Sequence, residues 1–107
     1  MNTSALLVIA TIVAKPGKEK DAEAMLKGLL APTHAEPGCV TYALHRQAGK
    51  PGMFYFVEKW KSRQALDAHL SSSHIAQALA RKEELLASLD IAVLDPIHGG
   101  NPAKESL

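Results

Sequence analysis

Only one cysteine occurs among the 107 residues, so no internal disulfide can form and nothing points to an oxidising compartment. A surplus of one charge is also missing. Twelve Lys and Arg stand against eleven Asp and Glu, a formal net charge of +1. That balance offers no electrostatic footprint for nucleic acid or an anionic membrane and favours small or neutral partners. No apolar run reaches bilayer length: Ala5 to Ala14 is too short to span one. It also lacks the basic flank and cleavage pattern of a signal peptide, so it reads as mature structure of a cytoplasmic protein. Solenoid-length repeats are absent. Lys15-Pro16-Gly17-Lys18 lacks the glycine spacing and terminal Ser/Thr of a phosphate loop. His69 and His74 come without a His-Glu-x-x-His motif or a cysteine pair, so no metal site is expected. Cys39 has no basic neighbour to activate it and reads as a buried, inert thiol.

What is present has a clear order. Ala5 to Ala14 is apolar on both parities and rich in β-branched residues, which predicts a strand covered on both faces. Lys18 to Leu30 carries one apolar stripe (Ala22, Met25, Leu26, Leu29, Leu30) and reads as a helix ended by Pro32 and Glu36-Pro37-Gly38. Cys39 to Gln47 and Met53 to Trp60 read as two strands of a hairpin around Ala48 to Gly52. Ser62 can cap a short helix to Leu70, and Ser71-Ser72-Ser73 can break it and cap the next. Ile75, Ala78, Leu79, Leu85, Leu86 and Leu89 continue at helical spacing, and Ser88 to Leu94 reads as the last strand.

The order β-α-β-β-α-β predicts an α+β, ferredoxin-like domain: a four-stranded antiparallel sheet with both helices on one face. Residues 1–97 form that single domain, and the polar tail, 98–107, is expected to be flexible. Half of the first strand and half of Met53 to Val57 would then lie on the uncovered face. A two-fold homodimer packed sheet face to sheet face, a dimeric α+β barrel, buries them.

Glu58 and Trp60 share a strand face with Phe54 and Phe56, and a symmetric hairpin adds Tyr42 and Leu44. If helices cover that face, Glu58 is a carboxylate in an aromatic setting, either an acid, base or anchor, or one half of a strand-end ion pair. His69 shares the inward face of its helix with Ala65 and Leu66, as a general base or as a hydrogen-bonded core histidine. His74 falls in the first turn after the serines, where a helix N-terminus disfavours imidazolium, so it reads as a proton acceptor or a capping residue. His45 and Arg46 read as a solvated hairpin edge.

The phrases VIATIVAKPG, EPGCVTY and above all FVEKWKSRQALDAHLSSSH resemble the antibiotic biosynthesis monooxygenase family over roughly Leu6 to Leu94. The resemblance implies a ferredoxin-like dimer. It also implies one of several activities: cofactor-free oxygenation of quinols or related polyphenols, haem degradation, or isomerisation of a phosphorylated sugar. The haem branch would need an asparagine where this chain has Ala10 and an axial histidine where it has Leu79, which leaves iron without a ligand. The expectation is therefore a cofactor-free monooxygenase that takes a small aromatic substrate and dioxygen. His69 or His74 would be the base, Glu58 the relay, and Tyr42, Phe56 and Trp60 the walls. The competing expectations are an isomerase or lyase of a small hydroxyketone, and a non-catalytic dimeric ligand-binding module.

Overall fold

In the computed structural model, which describes residues 5–107, strands β1 (Leu6–Ala14), β2 (Cys39–Arg46), β3 (Met53–Trp60) and β4 (Leu86–Leu94) form one antiparallel sheet in the order β2-β3-β1-β4. Helices α1 (Glu19–Lys27), α2 (Leu30–His34), α3 (Arg63–Leu70), α4 (Ser73–Leu79) and α5 (Lys82–Leu85) accompany it. The final α6 (Pro102–Glu105) is one turn capped by the Asn101 side chain. This is the ferredoxin-like α+β fold that the strand and helix pattern predicts.

Strand parity decides which side chains meet the helices. On β1, Val8, Ala10, Ile12 and Ala14 are buried, while Leu7, Ile9, Thr11 and Val13 are half-buried on the open face. On β3, Phe54, Phe56, Glu58 and Trp60 point inward, and Met53, Tyr55, Val57 and Lys59 outward. The core centres on Trp60, Phe54, Ile12, Leu66, Leu85 and Val8, all but inaccessible.

Two helix readings need correction. The expected helix from Lys18 to Leu30 is two helices, because the chain turns at Gly28 and restarts at Leu30. Pro32 does not stop it. Pro32 occupies the first turn of α2, where a missing N–H leaves no intrahelical bond unmade. The periodic run from Ile75 also breaks: α4 ends at Leu79, α5 is a single turn, and Leu86 and Leu89 belong to β4. A register shift at Val13/Ala14 lets Leu86 pair with Ala14 and Leu89 with Ile12. Both leucines therefore still reach the core side, from a strand.

The Ser62 hydroxyl caps α3 by accepting from the Ala65 amide at 3.1 Å. Ser72, at the N-cap of α4, donates instead to the His69 carbonyl at 2.6 Å and ties the two helices together. Gly38 fixes the remaining piece of the site. A Cβ placed there would lie 2.2 Å from the Ala65 Cβ, so only glycine lets the 33–39 turn pack flush on α3. Within that turn, the Glu36 amide bonds the Thr33 carbonyl at 3.0 Å and the Cys39 amide bonds the Glu36 carbonyl at 3.1 Å.

Candidate active site

The hairpin register puts Tyr42 opposite Glu58 and Leu44 opposite Phe56, all on the helix-covered face. Between that face and α1, α3 and α4 lies a cavity of about 190 Å³. Its walls are mainly hydrocarbon, with Val8, Ile12, Leu26, Phe56, Leu66 and Leu89 among them. Leu70, Leu79 and Ile91 line it and are 40%, 46% and 45% exposed, so it opens between the α3–α4 corner and edge strand β4.

Polar groups enter on one side only: Tyr42, Glu58 and His69. Glu58 Oε1 accepts from Trp60 Nε1 at 2.9 Å, and no lysine or arginine pairs with it. The strand-end ion pair is therefore not formed among the described residues. His69 Nδ1 lies 2.8 Å from Glu36 Oε2, and His74 Nε2 lies 2.8 Å from the same oxygen. Glu58 Oε2 and His69 Nε2 make no hydrogen bond within the described residues, and the Tyr42 phenol has the buried Thr33 hydroxyl beside it. All three residues line the cavity.

Burial sets their protonation. The Glu58 carboxyl is 4% exposed and is pushed up to about 7 by desolvation, with Glu36 adding to the rise and the Trp60 hydrogen bond opposing it. The Tyr42 phenol is raised well above its ordinary range, by burial first and then by Glu58, and stays a donor. His69 is lowered, chiefly by desolvation, against the pull of Glu36. At neutral pH its ring is uncharged. A carboxylate on the Nδ1 side holds the proton there and leaves Nε2 as a bare acceptor toward the cavity.

The site residues expected from sequence thus separate into three groups. Tyr42, Phe56, Glu58 and His69 meet at the cavity. Trp60 does not line it. The indole is fully buried behind, its ring 4.5 Å from that of His69, and serves Glu58 as a donor. His74 does not line the cavity either; it is joined to His69 through Glu36, with a side chain 20% exposed. Sequence reasoning missed Glu36, which sits in a turn 33 residues from His69, where its local pattern signals only a turn. Cys39 is half-buried, its thiol raised by burial and by Glu36 and Glu58. Arg46 pairs with Glu23 at 2.5 Å, away from the cavity.

The antibiotic biosynthesis monooxygenase family model matches residues 5–81. The chain belongs to that family. Among its relatives, Rv0793 of Mycobacterium tuberculosis is 35% identical over 96 residues, covering 89% of this chain and 94% of its own. The structure of Rv0793 superposes with a TM-score of 0.82 at 33% identity, covering 92% of this chain and all of the other. PA3566 from Pseudomonas aeruginosa gives a TM-score of 0.85 at 34% identity, covering 90% of this chain and 97% of its own. The Synechocystis protein sll1783 is 29% identical over 82 residues, 77% of this chain but 56% of that relative, so this chain spans little more than half its length. No helix among the described residues is long and apolar enough to cross a membrane.

Proposed function

We propose that this family member is a cofactor-independent monooxygenase of a small quinol or related phenol. The observation that carries this reading is the combination of a neutral, acceptor-ready His69 Nε2 with an otherwise apolar cavity of about 190 Å³. For scale, an engineered cavity of about 150 Å³ lined by aliphatic and aromatic side chains accommodates benzene. One or two fused rings suit this space, with hydroxyls toward Tyr42, Glu58 and His69 and dioxygen beside the ring.

In the proposed reaction His69 Nε2 accepts a phenolic proton, and the imidazolium is stabilised by Glu36 at Nδ1. The resulting phenolate is a far better electron donor than the phenol. It supplies the four electrons that reduce dioxygen: one oxygen atom enters the ring as a new carbonyl or hydroxyl, and the other leaves as water. For a hydroquinone the balance is quinol plus dioxygen to hydroxyquinone plus water. Glu58, which titrates near neutrality, can hand the proton to the departing oxygen. Exclusion of water by the hydrocarbon walls protects the reduced-oxygen intermediate.

Enolisation of a hydroxyketone could use the same base. A phosphorylated one fits poorly, because no lysine or arginine lines the cavity to balance the phosphate. We further propose that two chains pair through the open sheet face, where Leu7, Ile9, Val13, Met53 and Val57 are only half-buried. An oxygen electrode with a panel of quinols tests the reaction. Oxygen uptake that parallels product formation supports it, and equal conversion under argon refutes it in favour of the isomerase.

A further inference from the structure

We propose that Glu36, His69 and His74 form a binding site for a divalent transition-metal ion of the zinc class, set behind the cavity. Two imidazoles and one carboxylate are a donor set that zinc and its neighbours accept, and that magnesium or calcium takes up poorly. The three donors come from three separate stretches, the 33–39 turn, the end of α3 and the first turn of α4, and lie within 4.8 Å of one another. Glu36 Oε2 is already 2.8 Å from each nitrogen. Donors around a tetrahedral ion at about 2.0–2.1 Å stand about 3.4 Å apart, so capture requires only a local adjustment. His74 is the side chain free to make it. It is 20% exposed, while the His69 and Glu36 side chains are 3% and 15% exposed.

The surroundings hold such a site in shape. Gly38 seats the turn that carries Glu36 against Ala65 on the helix that carries His69. Ser72 Oγ bonds the His69 carbonyl at 2.6 Å and so ties the start of α4, which carries His74, to the end of α3, while its 3.2 Å contact with His74 Nε2 is one that metal coordination would replace. Glu36 Oε1 makes no hydrogen bond within the described residues, and the exposed rim of His74 gives an ion a path from solvent.

The ion would sit on the Nδ1 side of the His69 ring, and neither Glu36 nor His74 lines the cavity. It would therefore not touch a substrate there. Coordination through Nδ1 leaves the ring proton on Nε2, so that Nε2 is a donor and no longer an acceptor. Occupancy and a base at His69 are mutually exclusive, so zinc switches off any reaction that uses this base. The binding itself does not rest on the proposed monooxygenase.

The test is calorimetric titration of the chelator-treated chain with Zn²⁺, and visible absorption with Co²⁺ as a geometry reporter. One ion per chain is expected, with the intense visible bands of four-coordinate cobalt. His74→Ala and Glu36→Gln should each weaken Zn²⁺ binding at least ~10-fold, and the partly exposed His74 makes its variant the safer folding test. His98→Ala, in the tail, should leave binding unchanged. Three results each overturn the site: no stoichiometric binding, wild-type affinity in the folded His74→Ala chain, or loss of binding in His98→Ala.

Discussion

Replacing Glu58 by glutamine should make the protein more stable at alkaline pH and change little at acid pH. Glu58 is 4% exposed, faces hydrocarbon and aromatic rings, and among the described residues has one partner, the Trp60 indole N–H. Its carboxyl moves from an ordinary 4.5 up to about 7 on folding. The folded state thus binds this proton more tightly than the unfolded one. As pH rises through that window the unfolded chain releases the proton first, and the native state loses stability. Each unit is worth about 1.4 kcal/mol, so the full loss is about 3 kcal/mol, of which about 2.5 kcal/mol falls between pH 5 and 8. Glutamine keeps an oxygen for Trp60 Nε1 and has nothing to ionise. Urea unfolding of both proteins at pH 5 and pH 8, at one fixed chain concentration, measures the difference. The advantage of Glu58→Gln over wild type should grow by roughly 2–3 kcal/mol from the lower to the higher pH. A difference that stays flat, or that shrinks with pH, refutes the claim that Glu58 is held protonated by burial.

Other variants separate the remaining roles. Trp60→Ala should cost roughly 3–5 kcal/mol, since the indole is fully buried, whereas Trp60→Phe should fold and raise the Glu58 titration further, read by NMR of the labelled carboxyl. His69 is lowered by burial, so its contribution to stability is complete above pH 6.5 and fades as acid protonates it; in His69→Gln that acid-side loss should vanish from urea midpoints between pH 7 and 5. Gly38→Ala drives a Cβ into Ala65 and should shift the turn that carries Glu36, lowering Tm and detaching Glu36 from His69, as the His69 ring resonances would report. Light scattering should give twice the 11.5 kDa chain mass at micromolar concentration, with unfolding midpoints that rise with protein concentration.

The fold was legible because β1 is apolar on both parities, which calls for cover on both faces, and β3 carries its site residues on one parity. Glu58, Phe56 and Phe54 had to share a face, and a symmetric hairpin brought Tyr42 opposite Glu58, as the register has it. Leu86 and Leu89 misled because their spacing after Leu85 fits a helix, while a register shift at Val13/Ala14 puts both on the core side of a strand. No one-dimensional pattern contains that shift. The same limit hid Glu36. His69 and His74 announce themselves by chemistry, but the carboxylate that joins them arrives through a turn whose placement depends on the contact of Gly38 with Ala65. Trp60 was rightly placed beside Glu58 and wrongly aimed, since burial of the indole, rather than its strand position, decides that Phe56 and not Trp60 meets the cavity.

Isotope tracing tests the central claim most directly. The chain, treated with chelator and given no flavin, nicotinamide or added reductant, is incubated with a quinol under ¹⁸O₂, and product and water are analysed by mass spectrometry. One labelled oxygen in the product and one in water are expected for each dioxygen consumed, with turnover lost in His69→Gln. Unlabelled product, a strict need for an added reductant, or undiminished labelling in His69→Gln would contradict it.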